Sequence, residues 1–121
     1  MSDEKTTVAE LRRAMSEFVQ ARDWGKYHQP KNLAMSLAIE SAELMEHFQW
    51  LDHAEAWKLL EDPAARREIA DEMADVLAFL LSLANATGID LSSAFRAKMA
   101  RNQIKYPAEV VRGRYRRPKR N

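Results

Sequence analysis

Residues 62–88 have the sequence DPAARREIADEMADVLAFLLSLANATG, and this stretch decides the fold. Asp62 can accept a hydrogen bond from the first free N–H groups of a helix, and Pro63 suits the first helical position. Gly88 supplies the left-handed residue that commonly ends a helix, so the helix is predicted to run from about Pro63 to Thr87. Between residues 73 and 84 it is apolar around well over half of its circumference.

Further helices are predicted on both sides of this segment, from apolar residues that recur at helical spacing. Their expected ranges are about 7–22, 31–50 and 91–105, with a short helical piece around 54–60. Alanine (19 residues) and leucine (12) dominate, and only three glycines occur, which is too few for the turns of a β-rich domain. The 121 residues therefore predict one all-α, four-helix-bundle-like domain over 1–111.

Composition excludes several classes of protein. The chain has no cysteine, so it has neither a disulfide framework nor a thiolate site. No apolar run approaches the roughly 20 residues that span a bilayer, and residues 1–7 lack the apolar stretch of a secretory signal. We therefore expect no membrane association and a cytoplasmic location.

The charge is unevenly distributed. Residues 112–121 contain six basic residues and no acid, whereas residues 1–111 contain 13 basic and 18 acidic residues, a net charge of −5. The basic tail is expected to be a flexible, solubilising end, with contact to nucleic acid or phosphates as the alternative. The acidic body argues against nucleic acid as a partner and suits a protein that binds cations.

Two pairs of acidic residues have the same spacing, Glu40 with Glu43 and Glu72 with Asp75. Residues three apart lie on one face of a helix, and Glu40 and Glu72 fall among apolar side chains. An ionised carboxylate there is costly unless it is paired or binds a metal. If the two helices pack together, the four carboxylates predict a hard-cation site, with Mg²⁺ as the cofactor and Mn²⁺ as a possible substitute.

The acids could form salt bridges with other helices or point into solvent. A di-iron carboxylate bundle is excluded, because such a site uses Glu-x-x-His motifs. None of His28, His47 and His53 stands three residues after a glutamate.

Short motifs in a fixed order resemble the MazG-like all-α nucleoside triphosphate pyrophosphohydrolases, closest to the dCTP pyrophosphatase branch. The segments are Leu11-Arg12-Arg13, Arg22-Asp23-Trp24, His28-Gln29-Pro30-Lys31-Asn32-Leu33, Glu40-x-x-Glu43, Phe48-Gln49-Trp50, Glu72-x-x-Asp75-Val76-Leu77 and Lys98-Met99-x-x-Asn102-x-x-Lys105-Tyr106-Pro107. The resemblance implies Mg²⁺-dependent hydrolysis of a (deoxy)nucleoside triphosphate, dCTP or related dNTPs, to the monophosphate and pyrophosphate. Such an enzyme clears unwanted nucleotides.

The resemblance also implies roles for individual residues. The four carboxylates would be the metal ligands and catalytic groups, and any one of them could be the general base. The implied substrate-binding residues are Trp24, Gly25, Lys26, Tyr27, His28, Trp50, Phe79, Lys98, Asn102 and Lys105. Met15 and Phe79 stand where the dCTP-specific relatives have histidine and tyrosine, so Phe79 lacks a hydroxyl that could select the base or the sugar.

The sequence also predicts a homo-oligomer, because two helices are apolar on several sides, and the resemblance favours a tetramer over a dimer.

Three of the implied site residues have alternative structural roles. Trp50 could be a core aromatic, His28 could brace its loop, and Asn102 could cap its helix.

The alternative function is a catalytically silent bundle that senses nucleotides or metals. Intact acids at all four positions disfavour that function. A purely structural helical protein is a third possibility.

Overall fold

The computed structural model describes residues 1–114, and every regular element among them is helical. The predicted all-α class is therefore confirmed. The helices are α1 (Val8–Ala21), α2 (Pro30–Glu46), α3 (His53–Leu59), α4 (Pro63–Thr87), α5 (Leu91–Lys105) and α6 (Ala108–Val111), and a short 3-10 helix (Gly25–Tyr27) precedes α2. The chain divides into two compact units, Met1–Gly88 and the part that begins at Ile89.

The helix α4 has the bounds that the sequence predicted. The Asp62 carboxylate accepts from the backbone N–H of Ala64 at 3.3 Å, and Pro63 occupies the first turn. At the other end Gly88 has a φ of 71°, and its N–H donates to the carbonyl of Ala84 at 2.9 Å. Local chemistry thus fixes both ends of the longest helix.

The helix α2 ends at Glu46, so the prediction that it continues to Trp50 is wrong. Beyond Glu46 the backbone forms tight turns, because the N–H groups of His47 and Phe48 donate to carbonyls only three residues back, at 3.3 and 3.0 Å. The chain then reaches Asp52, whose carboxylate accepts from the N–H of Glu55 at 2.8 Å. This capping box starts α3.

In the first unit α4 packs chiefly against α2 and also against α1. Its core consists of one side chain from each of α1 and α2 and three from α4, namely Val19, Leu33, Ile69, Leu81 and Ala84. Burial of these apolar side chains is the main force that holds the three helices together. The packing of α2 on α4 places the two helices with the predicted carboxylate pairs side by side.

The second unit contains α5 and α6. The Asp90 carboxylate caps α5 by accepting from the N–H of Ser93 at 3.0 Å, and α6 follows Pro107. Most of the predicted basic tail, residues 115–121, lies outside the described residues. Across residues 1–114 no single helix is long and apolar enough to cross a membrane. The helices α4 and α5 reach the required length and apolar composition only when they are taken together, and core helices of soluble proteins can do the same.

Candidate metal centre and adjoining cavities

Three carboxylates from α2 and α4 converge in the first unit. Glu40, Glu43 and Glu72 each offer one oxygen, and these oxygens lie within 4.8 Å of one another. Glu40 and Glu72 are half-buried, and the Oε2 atom of each is buried with no hydrogen-bond partner among the described residues. Such atoms are costly to leave unpaired. The all-oxygen donor set fits a hard divalent cation such as Mg²⁺ or Mn²⁺.

The pKa shifts in this carboxylate cluster also favour a bound cation. Burial, first, and then the adjacent carboxylates of Glu43, Asp75 and Glu72 together raise the pKa of Glu40 to about 7. Burial also raises the pKa of Glu72, with repulsion from Glu43 as the next cause. Asp75 is exposed and does not belong to the group of three close oxygens, although its charge acts on both buried acids. A divalent cation would relieve this repulsion.

An aromatic cavity of about 350 Å³ lies in the same unit. Its aromatic walls are Phe18, Trp24, Tyr27 and Phe79. The rings of Phe18 and Trp24 meet edge to face with centroids 5.8 Å apart. Aromatic faces can stack on a nucleobase, and a concave apolar site with a few polar groups is the usual form of a small-molecule pocket.

The polar groups of this aromatic cavity are His28, Asn32 and Ser36. The structure thus brings His28 together with the predicted residues Trp24, Tyr27 and Phe79. Sequence reasoning missed the roles of Asn32 and Ser36 as lining residues, although both lie on the face of α2 that leads to Glu40.

The end of α1 directs Trp24 into the cavity. Asp23 has a φ of 52°, in the left-handed region. The N–H of Trp24 donates to the carbonyl of Val19 and that of Asp23 to the carbonyl of Gln20, each at 3.1 Å. These two bonds form a Schellman motif, in which the residue after the left-handed one packs back on the last turn of the helix. Trp24 and Val19 both line the cavity as a result.

A second cavity of about 210 Å³ adjoins the first and shares Met15, Val19 and His28 with it. Its other lining residues are Ser16, Gln20, Gly25, Ser82, Asn85 and Ala86; four of these have polar side chains, although most of the lining surface is apolar. Ser82 is 3% exposed, and its hydroxyl has no hydrogen-bond partner within residues 1–114. No local sequence pattern predicts this second cavity, called the polar cavity below, because its wall comes from three separate segments.

The remaining predicted site residues lie elsewhere. Trp50 is 85% exposed in the turns after α2 and lines neither cavity, and Lys26 forms an exposed ion pair with Asp23 at 3.5 Å. Lys98, Asn102 and Lys105 belong to α5 in the second unit. Their spacing of four and three residues puts them on one face of that helix.

Fold and site together define an all-α protein with a candidate divalent-metal centre on α2 and α4 and an aromatic cavity that these two helices line together with α1 and residues 24–28. The profile of the MazG-like family matches residues 35–114. The chain belongs to the MazG-like family, as the order of its motifs predicted.

Several known proteins are similar to this chain in sequence, and one solved structure is also similar to it in fold. It is 39% identical over 107 residues to dCTP pyrophosphatase 1 of Rattus norvegicus, which covers 88% of this chain and 63% of that protein. The human dCTP pyrophosphatase 1 is 39% identical over 106 residues, with 88% and 62% covered. The chain thus spans just under two thirds of the length of these curated relatives. The crystal structure of a pyrophosphatase from Archaeoglobus fulgidus DSM 4304 has a TM-score of 0.79 and 41% identity, over 88% of this chain and 98% of that chain.

Proposed function

We propose that this chain hydrolyses a deoxynucleoside triphosphate, dCTP or a related dNTP, to the monophosphate and pyrophosphate in the presence of Mg²⁺. One observation carries the proposal: the metal centre and the aromatic cavity lie within one to two helical turns of each other on α2 and α4. Ser36 of the cavity is four residues before Glu40 on α2, and Glu72 is seven residues before Phe79 on α4. A base in the cavity would therefore have its phosphates near the carboxylates. The names of the similar pyrophosphatases support the same activity.

Each group of residues has a separate role in the proposed reaction. Glu40, Glu43 and Glu72, with Asp75 beside them, would hold Mg²⁺, which supplies charge for polarising the phosphate oxygens. Trp24 and Tyr27 stack on or enclose the base, which fixes the nucleoside in place. Water attacks the α-phosphorus, one of the four carboxylates takes its proton, and pyrophosphate leaves.

For the second unit we propose, from the family resemblance, that Lys98, Asn102 and Lys105 on one face of α5 bind phosphate groups. Two lysines and an amide on one helix face offer donors and positive charge for a triphosphate. Trp50, being exposed, would meet the nucleotide from outside the two cavities described above.

The proposed preference for dCTP over other dNTPs is modest. Stacking tolerates every base, so selection must come from polar groups at the base edge, of which the cavity offers His28, Asn32 and Ser36. Phe79 keeps an aromatic ring but has no hydroxyl. A pocket of this kind discriminates by roughly tenfold to a hundredfold.

The protein is proposed to act as a homo-oligomer, with a tetramer favoured over a dimer. Met35 and Ile39 on α2 are exposed, as are Met73, Leu77 and Leu80 on α4. Within each helix these residues lie on one face, because they are three or four apart. A second copy of the chain would cover these apolar faces. Light scattering that gives a monomer mass at micromolar concentration would contradict the proposed oligomer.

A cytoplasmic location also stays a prediction, which cell fractionation would test.

The decisive experiment is a panel of dNTPs and NTPs incubated with Mg²⁺, with Mn²⁺ and with EDTA. Pyrophosphate and orthophosphate are quantified separately, because only cleavage at the α-phosphorus releases pyrophosphate directly. We expect pyrophosphate from dCTP and lesser amounts from other dNTPs, and none with EDTA. Nucleotide binding without release of pyrophosphate would overturn the proposal in favour of a sensing protein.

A further inference from the structure

The hydroxyl of Ser82 is the one feature of the polar cavity that the proposed function leaves unexplained. Ser82 lies on α4, three residues after Phe79, so the two side chains project from the same side of the helix one turn apart. Phe79 lines the aromatic cavity and Ser82 lines the polar cavity. A buried hydroxyl is nearly always hydrogen-bonded, yet that of Ser82 has no partner in the part of the chain that the structure describes.

Ser16, Gln20 and Asn85, which also line this cavity, are already engaged in hydrogen bonds. The amide of Gln20 donates to the hydroxyl of Ser16 at 3.2 Å. Asn85 uses both ends of its amide on Arg12, with its Oδ1 accepting from Nε at 3.0 Å and its Nδ2 donating to the carbonyl at 2.9 Å. Ser82 is therefore available to a ligand at the α4 side of this cavity, and His28 lies at the boundary with the aromatic cavity.

Met15 stands between the two cavities, since it lines both. Its side chain is unbranched and has three rotatable bonds, so it can change shape at low cost. Val19 and His28 also belong to both walls, but Val19 is buried in the core and branched at Cβ, which leaves it less freedom. Met15 is thus the adjustable part of the boundary.

We propose that the polar cavity is an extension of the nucleoside pocket that admits purine bases, with Met15 as the movable partition and Ser82 as the hydrogen-bonding group at its far end. This inference rests on the proposed nucleotide site. A purine has a second fused ring and presents polar groups on its outer edge. A hydroxyl both donates and accepts, so Ser82 can bond either an amino group or a carbonyl oxygen there. The extension explains why the chain would select only weakly against purine nucleotides.

The test compares binding of two hydrolysis products, dGMP and dCMP, by isothermal titration calorimetry. Ser82→Ala should lower the ratio of dGMP affinity to dCMP affinity by about fivefold, which corresponds to one hydrogen bond. Met15→Phe fills the boundary with a rigid ring and should lower the same ratio by about tenfold. Ser41→Ala is the matched control, because that hydroxyl bonds the carbonyl of Leu37 at 2.8 Å and lines neither cavity.

Ser82→Ala removes a buried hydroxyl without a partner, so the variant should fold at least as well as the parent chain. The proposal is overturned if this variant leaves the dGMP to dCMP ratio at the parent value, which is what a cavity filled only by water predicts. It is equally overturned if both affinities fall together. Because monophosphate binding needs no turnover, a chain that binds both products but releases no pyrophosphate from dNTPs would contradict the proposed function alone.

Discussion

Arg12 and Asn85 hold α1 and α4 together through a two-way contact. The guanidinium Nε of Arg12 donates to Oδ1 of Asn85 at 3.0 Å, and Nδ2 of Asn85 donates back to the carbonyl of Arg12 at 2.9 Å. A second guanidinium nitrogen donates to the carbonyl of Ala84 at 3.0 Å. This contact joins the two helices beside the polar cavity, which Asn85 lines. Val19 is the one buried apolar side chain of α1 (Val8–Ala21), so the contact supplements a small apolar core on that helix.

Asn85→Ala should destabilise the first unit by about 1–3 kcal/mol, because it removes both hydrogen bonds that the Asn85 side chain makes to Arg12 between the two helices. Urea unfolding followed by circular dichroism measures the change. Gln20→Ala is the control: it also removes an amide hydrogen bond, that to Ser16, but one confined to the exposed surface of α1. Its effect should stay within about 0.5 kcal/mol. Equal effects of the two substitutions would show that the Arg12–Asn85 contact has no special part in holding the helices.

Glu40→Gln should abolish hydrolysis while the helical circular dichroism signal and cooperative melting persist. The substitution keeps the shape of the side chain and removes one of three crowded negative charges, so the metal-free protein should be as stable as the parent or more so. Asp75→Asn should also abolish hydrolysis, although Asp75 is exposed. Pyrophosphate release near the parent rate in either variant would place the metal ligands elsewhere.

The stability of the metal-free chain should fall as pH rises. The pKa of Glu40 is about 7 in the folded chain against an ordinary value of 4.5, so the folded form holds this proton more tightly than the unfolded form does. The stabilisation is fully present below about pH 4.5 and is lost as the pH rises through about 7. Denaturant unfolding in EDTA between about pH 4 and pH 8 measures this slope, and Glu40→Gln should flatten it.

Metal affinity should change with pH in the opposite direction. A cation requires the ionised carboxylates, so its binding competes with the proton on Glu40 and should tighten as pH rises through about 7. Titration of Mn²⁺ into the chain at several pH values measures this. An affinity that does not vary with pH would mean that Glu40 is not a ligand.

Asp23→Gly should stabilise the first unit by roughly 0.5–1 kcal/mol, since glycine adopts a φ of 52° without the steric penalty of a side chain. The loss of the exposed Asp23–Lys26 ion pair subtracts little from this gain. Glu17→Gly, at an exposed position inside α1, is the contrasting variant and should destabilise by about 1 kcal/mol. Thermal melting of the two glycine variants should therefore shift in opposite directions.

Trp24→Ala should raise the KM for dCTP by about tenfold or more, because a stacked aromatic contributes about 1–3 kcal/mol per base. Trp57→Ala is the matched control. Trp57 is 73% exposed on α3 and lines neither cavity, so its removal should leave KM unchanged. Steady-state kinetics on both variants would contradict the pocket assignment if the two KM values moved alike.

The sequence predicts elements well where local chemistry sets them. The caps at Asp62 and Gly88 fix α4, and the short helix expected around 54–60 is α3, because Asp52 and Glu55 form a capping box before it. The end of α2 could not be predicted, since the apolar spacing continues past Glu46 while the backbone tightens into turns. The four-residue α6 is too short to show a periodic pattern.

In the candidate site, too, the sequence predicts some features and not others. Spacing within one helix places Glu40 with Glu43 on one face, and the packing of α2 on α4 adds Glu72 to them. The left-handed Asp23 has no glycine to signal it, so the direction of Trp24 depends on a turn that the sequence does not reveal. The polar cavity at Ser82 arises only when α1, the Gly25 turn and α4 come together, and no local pattern encodes that meeting.

The crowded carboxylates also bear on how long the protein survives. An ion that binds only the folded form lowers the unfolded population, by about a hundredfold when its concentration is about a hundred times its dissociation constant. Proteases cleave the transiently opened chain, so their rate follows that population. Through Glu40, Glu43 and Glu72, the supply of divalent cation would thus set the lifetime of the polypeptide against proteolysis, whether or not a nucleotide is present.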